Sequence, residues 1–251
     1  MERWAELPEV EPPEGADQGD SIGPVSTNGN IFTYIGAGSC CLRLDILTDQ
    51  QKGIAFQLWP SSLLLCKYAE ALHAQHPGYW KGKKVLELGC GVGLLGLVFA
   101  ALGADVILTD LLHAKDLVEA NIRNNCCALG INGGRASFNE LAWGQTNVER
   151  LQLPNELLII AADVVYHQEL FKPLSLTLAA LGQRNAHVLL AHTRRWKHDT
   201  RFFKMMRKLF SMRDMTSEID EDASEYASNS MGRARLFQLF PITSSPSEAK
   251  A

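Results

Sequence analysis

Cysteine pairs at metal-ligand spacing are missing from this chain. The six cysteines, Cys40, Cys41, Cys66, Cys90, Cys126 and Cys127, form two adjacent pairs and two singles, with no C-x-x-C. They read as reduced, mostly buried thiols, not as a zinc site or a disulfide framework. The seven histidines show no H-E-x-x-H or comparable spacing, so no metal is expected. No apolar run reaches the roughly 18 residues of a membrane-spanning helix, and no membrane partner is expected. The opening stretch, MERWAELPEVEPPEGADQGD, is acidic. It has neither the apolar core of a secretory signal nor the arginine-rich character of an organelle transit peptide. The expected location is cytoplasmic, extending to the nucleus. An excess of positive charge is also lacking: 24 lysines and arginines face 28 acids, for a net charge of −4. A dedicated nucleic-acid binder carries a basic footprint, so no nucleic-acid partner is expected. No internal repeat is visible.

What is present is ordinary for a globular protein: 251 residues, 46% apolar and 21% charged. That length supports one large α/β domain. Residues 1–30, rich in acids, Pro and Gly, are expected to form a mobile tail. Residues 31–243 form a single domain and 244–251 a loose end. Around GSCC, β-branched residues suggest short strands. Pro60 and Ser61 open a helix whose Leu64, Leu65, Tyr68, Ala69 and Leu72 share one face. Strands and helices then alternate: KKVLELGC, GLLGLVFAALG, DVILTD, HAKDLVEANIRNNCCALG (one helix closed by Gly130), RASFNELAW, ELLIIAADVVY, QELFKPLSLTLAALG, HVLLAHTRR and DTRFFKMMRKLF. FSMRDMTS and RARLFQLF follow as two strands joined by an acidic loop, residues 217–230. Short apolar strands alternating with helices mean a Rossmann-like, doubly wound, mostly parallel sheet of seven strands. The last two strands suggest a closing antiparallel hairpin. A monomer is the expectation.

VLELGCGVGLLG places a G-x-G-x-x-G at Gly91, Gly93 and Gly96, after a strand and at the start of a helix. Ligands of open α/β sheets sit beyond the carboxyl ends of the strands, where glycine lets a ligand approach the backbone. Glu87, an acid inside an apolar strand, is costly unless bonded. It would repel a phosphate and suits a cationic ligand. Asp110 ends the second strand, where a carboxylate can take both ribose hydroxyls. That position serves NAD and S-adenosylmethionine alike.

VLELGCGVGLLG followed by VILTD resembles the first motifs of the class I, seven-strand S-adenosylmethionine-dependent methyltransferases. GIAFQLWPSSLLLCKYAE, ANIRNN, NELAWG and AADVVYHQELFKPL together resemble the methyltransferase-like family rich in protein-lysine methyltransferases. Its mark is a D-x-x-Y motif, here Asp163 to Tyr166. The resemblance covers about Gly53 to Phe240. It implies S-adenosyl-L-methionine as cofactor, with S-adenosyl-L-homocysteine as product. It places Glu87, Gly89, Cys90, Gly91, Gly93 and Ala162 beside the cofactor, Asp110 on the ribose, Trp143 by the adenine and Trp59 nearby. It makes Asp163 and Tyr166 the catalytic pair, and a protein lysine the acceptor. Chaperones and translation factors are frequent targets in the group.

A strand body of LLII would exclude an acid, so Asp163 is expected at the rim. There it would orient the acceptor nitrogen and steady its positive charge, with Tyr166 walling the channel. Asp163→Ala is then expected to spare the fold and cofactor binding. Capping of the next helix is the plainer alternative for Asp163. Three other functions stay open: a small-molecule methyltransferase on the same fold, a cofactor-binding module without activity, and an NAD-dependent dehydrogenase. The last leaves Glu87 and the Asp163 motif without a purpose.

Overall fold

A computed structural model describes residues 27–28, 30–36, 42–144, 147–154, 156–184, 186–218 and 234–242. Most of both expected tails, the acidic loop from residue 219 onward, and Cys40 and Cys41 lie outside these residues. Short strands β1 (Thr27–Asn28), β2 (Ile31–Ile35) and β3 (Arg43–Leu47) form a small antiparallel sheet. Because Asn28 pairs with Ile31, regular structure starts before residue 31, inside the segment expected to be a tail.

The large sheet holds β4 (Lys84–Leu88), β5 (Asp105–Asp110), β6 (Arg135–Glu140), β7 (Leu158–Ala162), β8 (His187–Thr193), β9 (Phe210–Asp214) and β10 (Ala234–Pro241). Their spatial order is β6-β5-β4-β7-β8-β10-β9. The first five are mutually parallel; β10 runs antiparallel to both β8 and β9. The expected closing hairpin is therefore antiparallel, but its second strand is inserted between β8 and β9.

Both faces of this sheet are buried, which is why its central strands read as apolar runs. Side chains still alternate. Val85, Leu158, Ile160, Leu189 and Ala191 pack with α1 (Pro60–Gln75), α2 (Leu94–Ala101) and α3 (Lys115–Asn124). Leu86, Ile159, Ala161, Val188 and Leu190 pack with α5 (Gln168–Gly182) and α6 (Asp199–Met206). Among the described residues no helix is long and apolar enough to cross a membrane.

The expected single helix up to Gly130 is two. α3 stops at Asn124, and a shorter α4 spans Cys126–Ile131. Asn125, at φ −107° and ψ 11°, breaks the run. Its side chain accepts from Asp45 N and donates to Asp45 O at 2.9 and 3.0 Å. One turn earlier, Asn121 accepts from Leu47 N and donates to Leu47 O at 2.7 and 3.1 Å. Two side-chain amides four residues apart thus mimic a strand and dock the small sheet onto α3; the tertiary bonds override helix propensity. The thiols just beyond, Cys126 and Cys127, are exposed, whereas Cys66 and Cys90 are buried. The expectation of mostly buried cysteines holds for half of those described.

Candidate active site

The mouth of the sheet is built around helix N-termini that lack their own side-chain caps. α2 begins after Gly93 with no capping side chain. Its Gly96 N–H donates instead to Glu87 Oε2, 2.9 Å away, so the strand acid supplies the cap. Gly96 has no room for anything else. A Cβ there would stand 2.5 Å from Leu108 Cδ2 and 2.6 Å from Glu87 Oε2. Burial pushes the Glu87 carboxyl well above its usual range; the Gly96 N–H opposes this and nearby Asp110 adds to it.

The glycine loop is held from three sides. Cys90 N donates to Thr109 O, and Gly91 N donates to Asp110 Oδ2, both at 2.9 Å. Asn121 Nδ2 reaches Val92 O at 2.8 Å. Asp110 Oδ1 also accepts from Leu111 N at 2.7 Å. A carboxylate has about four acceptor positions. One on each Asp110 oxygen thus remains for a diol. Burial raises the Asp110 carboxyl, and the two N–H bonds and His113 counter that. Gly89 adopts φ +65°, and a Cβ there would come within 3.0 Å of Trp143 and Val164. Trp143 is thereby placed against the loop. The Cys90 thiol is pushed up by burial, so it is a wall and not a nucleophile.

The turn Ile54–Phe56 crosses the loop, with Ala55 O facing Gly91 and Phe56 packed on His113 at 5.7 Å. Between this cover and the loop lies a cleft of about 320 Å³, open solvent included. Trp59, Glu87, Gly89, Cys90, Gly91 and Ala162 line it together, with Gln57, Leu58 and Ser62 from the cover and α1. Gly93 starts α2 just behind.

Asp163 is not at the rim. β7 ends at Ala162, and Asp163 turns inward at φ +56°, left-handed backbone that is uncommon outside glycine. Its side chain is 1% exposed. It does not cap α5, whose N-cap is His167. Oδ2 accepts from Ser61 N of α1 at 3.1 Å, and Oδ1 accepts from Thr193 N at 3.3 Å. Arg195 Nη2 lies 2.9 Å from Oδ1. The Arg195 guanidinium also sits 4.7 Å from the centre of the Trp59 ring. Ser61 and Thr193 share a hydroxyl bond at 2.9 Å. Tyr166 is half-buried beside His167, and burial followed by the Asp110 charge raises its phenol.

Ser61, Thr193, Arg195 and Asn121 were not singled out as site residues, although Ser61 and Asn121 lie inside stretches that carry the family resemblance. Only Asn121 carried a readable signal, its four-residue spacing from Asn125 on one helix face.

A sequence profile described as lysine methyltransferase matches residues 41–209. The chain belongs to that family. Protein N-lysine methyltransferase METTL21A of Danio rerio is 34% identical over 188 residues, 73% of this chain and 82% of the relative. EEF1A lysine methyltransferase 3 of Mus musculus is 32% identical over 197 residues, 77% and 78%. Magnesium protoporphyrin IX methyltransferase from Synechocystis PCC 6803, solved with bound SAM, shares the fold. It is 18% identical, covers 73% of this chain and 80% of its own, and has a TM-score of 0.50. This lysine methyltransferase is an S-adenosylmethionine-dependent enzyme, and the dehydrogenase alternative falls away. The chemistry of the residues present fits that cofactor: a buried acid lines the cleft, and a carboxylate with free acceptor positions and a tryptophan border its glycine loop.

Proposed function

We propose that the chain methylates a lysine side chain of a protein, a translation factor of the elongation factor 1A type being the first candidate. The relative named for EEF1A supports that choice of first test. When bound, S-adenosylmethionine supplies a methyl group activated by positively charged sulfur. Glu87 faces the cationic end, Asp110 takes the ribose, and Trp143 backs the base. Asp163 and Tyr166 serve the acceptor. The observation that carries this is the junction at β7: Ala162 lines the cleft, and the next residue turns inward onto α1, whose Ser62 lines the same cleft. Asp163 accepts N–H bonds from Ser61 on Oδ2 and from Thr193 on Oδ1, with the Arg195 guanidinium beside Oδ1, which leaves a position on Oδ2 to orient an incoming amine. The chain's contribution is then positioning and electrostatics. The four described cysteines are unpaired, which suits the reducing cytoplasm and nucleus.

The test is transfer of tritiated methyl groups to recombinant elongation factor 1A and to total cell protein, by wild type and by Asp163→Asn. Asparagine keeps an acceptor oxygen for Ser61 and loses the charge. Labelling of lysine by wild type, at least a hundredfold slower in the variant with S-adenosylhomocysteine affinity retained, is expected. Equal rates would refute the role of Asp163, and labelling of another residue type would refute the lysine reading.

A further inference from the structure

The chain has two consecutive arginines after β8, and they behave oppositely. Arg194 is exposed, while the Arg195 side chain is only 9% exposed and folds inward onto Asp163. Its direction is set by a turn. The N–H groups of Arg195 and Trp196 both donate to Asp199 Oδ2, at 3.0 and 3.1 Å, and that carboxylate is itself buried. Burying a guanidinium is expensive. The link between α1 and β8 does not require one: the Ser61–Thr193 hydroxyl bond and the two N–H groups on Asp163 already make it.

We propose that Arg195 is a positioning residue that cancels the charge of Asp163, so that Asp163 can orient the acceptor amine without holding it protonated. This rests on the lysine reading above. A lysine enters about three units more basic than the medium and must shed a proton before it can attack. A bare carboxylate nearby would raise that requirement by a further one to three units. With a guanidinium in contact with Asp163 and lying over Trp59, a wall of the donor cleft, most of that penalty disappears. The other charges facing the pair leave Arg195 as its direct counter-charge. On β8, His192 lies 3.4 Å from Asp199 and burial lowers its pKa, keeping the imidazole neutral despite both acids. On the loop, His198 is 3.8 Å from Asp199. α1 contributes the Ser61 N–H. Across the cleft stand Glu87, whose carboxyl burial holds up, and Asp110.

The experiment is the initial rate of tritiated methyl transfer to recombinant elongation factor 1A and to total cell protein from pH 6.5 to 10. It compares wild type, Arg195→Gln and Arg195→Lys, with thermal midpoint and S-adenosylhomocysteine affinity measured for each. Arg195→Gln is expected to be roughly tenfold slower near pH 7.5, with its rising limb moved about one unit to the alkaline side. It should approach wild type at pH 10, and Arg195→Lys should restore the limb. A uniform loss at every pH with the limb unmoved would overturn the proposal, as would a lysine variant no better than glutamine. If wild type itself labels no lysine, the lysine reading fails and this inference with it. If wild type labels lysine and the limbs coincide, only this inference fails.

Discussion

Asn121 ties three parts of the molecule together, and its removal separates stability from cofactor binding. Its side chain is fully buried and makes three bonds: from Leu47 N, to Leu47 O and to Val92 O. Asn121→Ala leaves all three backbone partners unmatched. Each unmatched group costs about 1–3 kcal/mol. The Leu47 groups are partly accessible to water, so the low end applies to them, while Val92 O is buried. The sum is about 3–5 kcal/mol, a large share of the roughly 5–15 kcal/mol of a typical domain. Asn125→Ala is the internal control. It loses its bonds to Asp45 N and O, and Asn121 O keeps its backbone partner. Its cost should be about 2–3 kcal/mol. The decisive difference lies in the glycine loop, because only Asn121 holds Val92. Urea denaturation should rank the variants wild type, Asn125→Ala, Asn121→Ala. Calorimetry with S-adenosylhomocysteine should show about tenfold weaker binding for Asn121→Ala, or about 1.4 kcal/mol, and no change for Asn125→Ala. If Asn121→Ala binds within twofold of wild type, or if both variants weaken equally, the loop anchor is refuted.

Three further outcomes follow from the geometry. Asp163→Ala leaves Arg195 buried without its counter-charge and also removes the acceptors for Ser61 N and Thr193 N, so it should destabilise the fold by about 3–5 kcal/mol, more than the asparagine variant, which keeps an acceptor oxygen; a denaturation midpoint equal to wild type would contradict this. Gly96→Ala drives a methyl group into Leu108 and Glu87 and should cost about 1–3 kcal/mol, read as a lower thermal midpoint; an unchanged midpoint would show that α2 can retreat freely. Because burial raises the Glu87 carboxyl in the folded state, its contribution is fully present below the ordinary carboxyl range and is lost as pH rises through the raised value. Glu87→Gln should therefore gain stability relative to wild type as pH increases from about 4.5, the gain levelling off above the folded value; a difference that does not vary with pH between the two urea curves would defeat that assignment.

The alternation of strands and helices was legible because doubly covered parallel strands must be apolar throughout. The helix from Gln168 to Gly182 and the start of α1 at Pro60 were marked by their own residues. Glu87 was rightly singled out as an acid that needs a partner, though the partner, Gly96 N–H, depends on how closely α2 packs. The surroundings of Asp163 were not legible. Its partners lie 102 and 30 positions away, at Ser61 and Thr193, and nothing local signals them. The inward turn at φ +56° reverses the rim position that an apolar strand body suggests. The break at Asn125 was hidden for the same reason: the competing bonds come from Asp45, far back in the chain.

The insertion of β10 between β8 and β9 has a consequence for biosynthesis. On the ribosome, β8 and β9 emerge well before residues 234–241, at roughly 5–20 residues per second. Until then β8 has no neighbour on that side and β9 has none at all. The nascent domain therefore carries an unpaired, apolar edge, Val188 to Ala191, of the kind that templates aggregation. A ribosome stall between β9 and β10 would leave a chain with its glycine loop synthesised and its sheet still open, a natural client for chaperones.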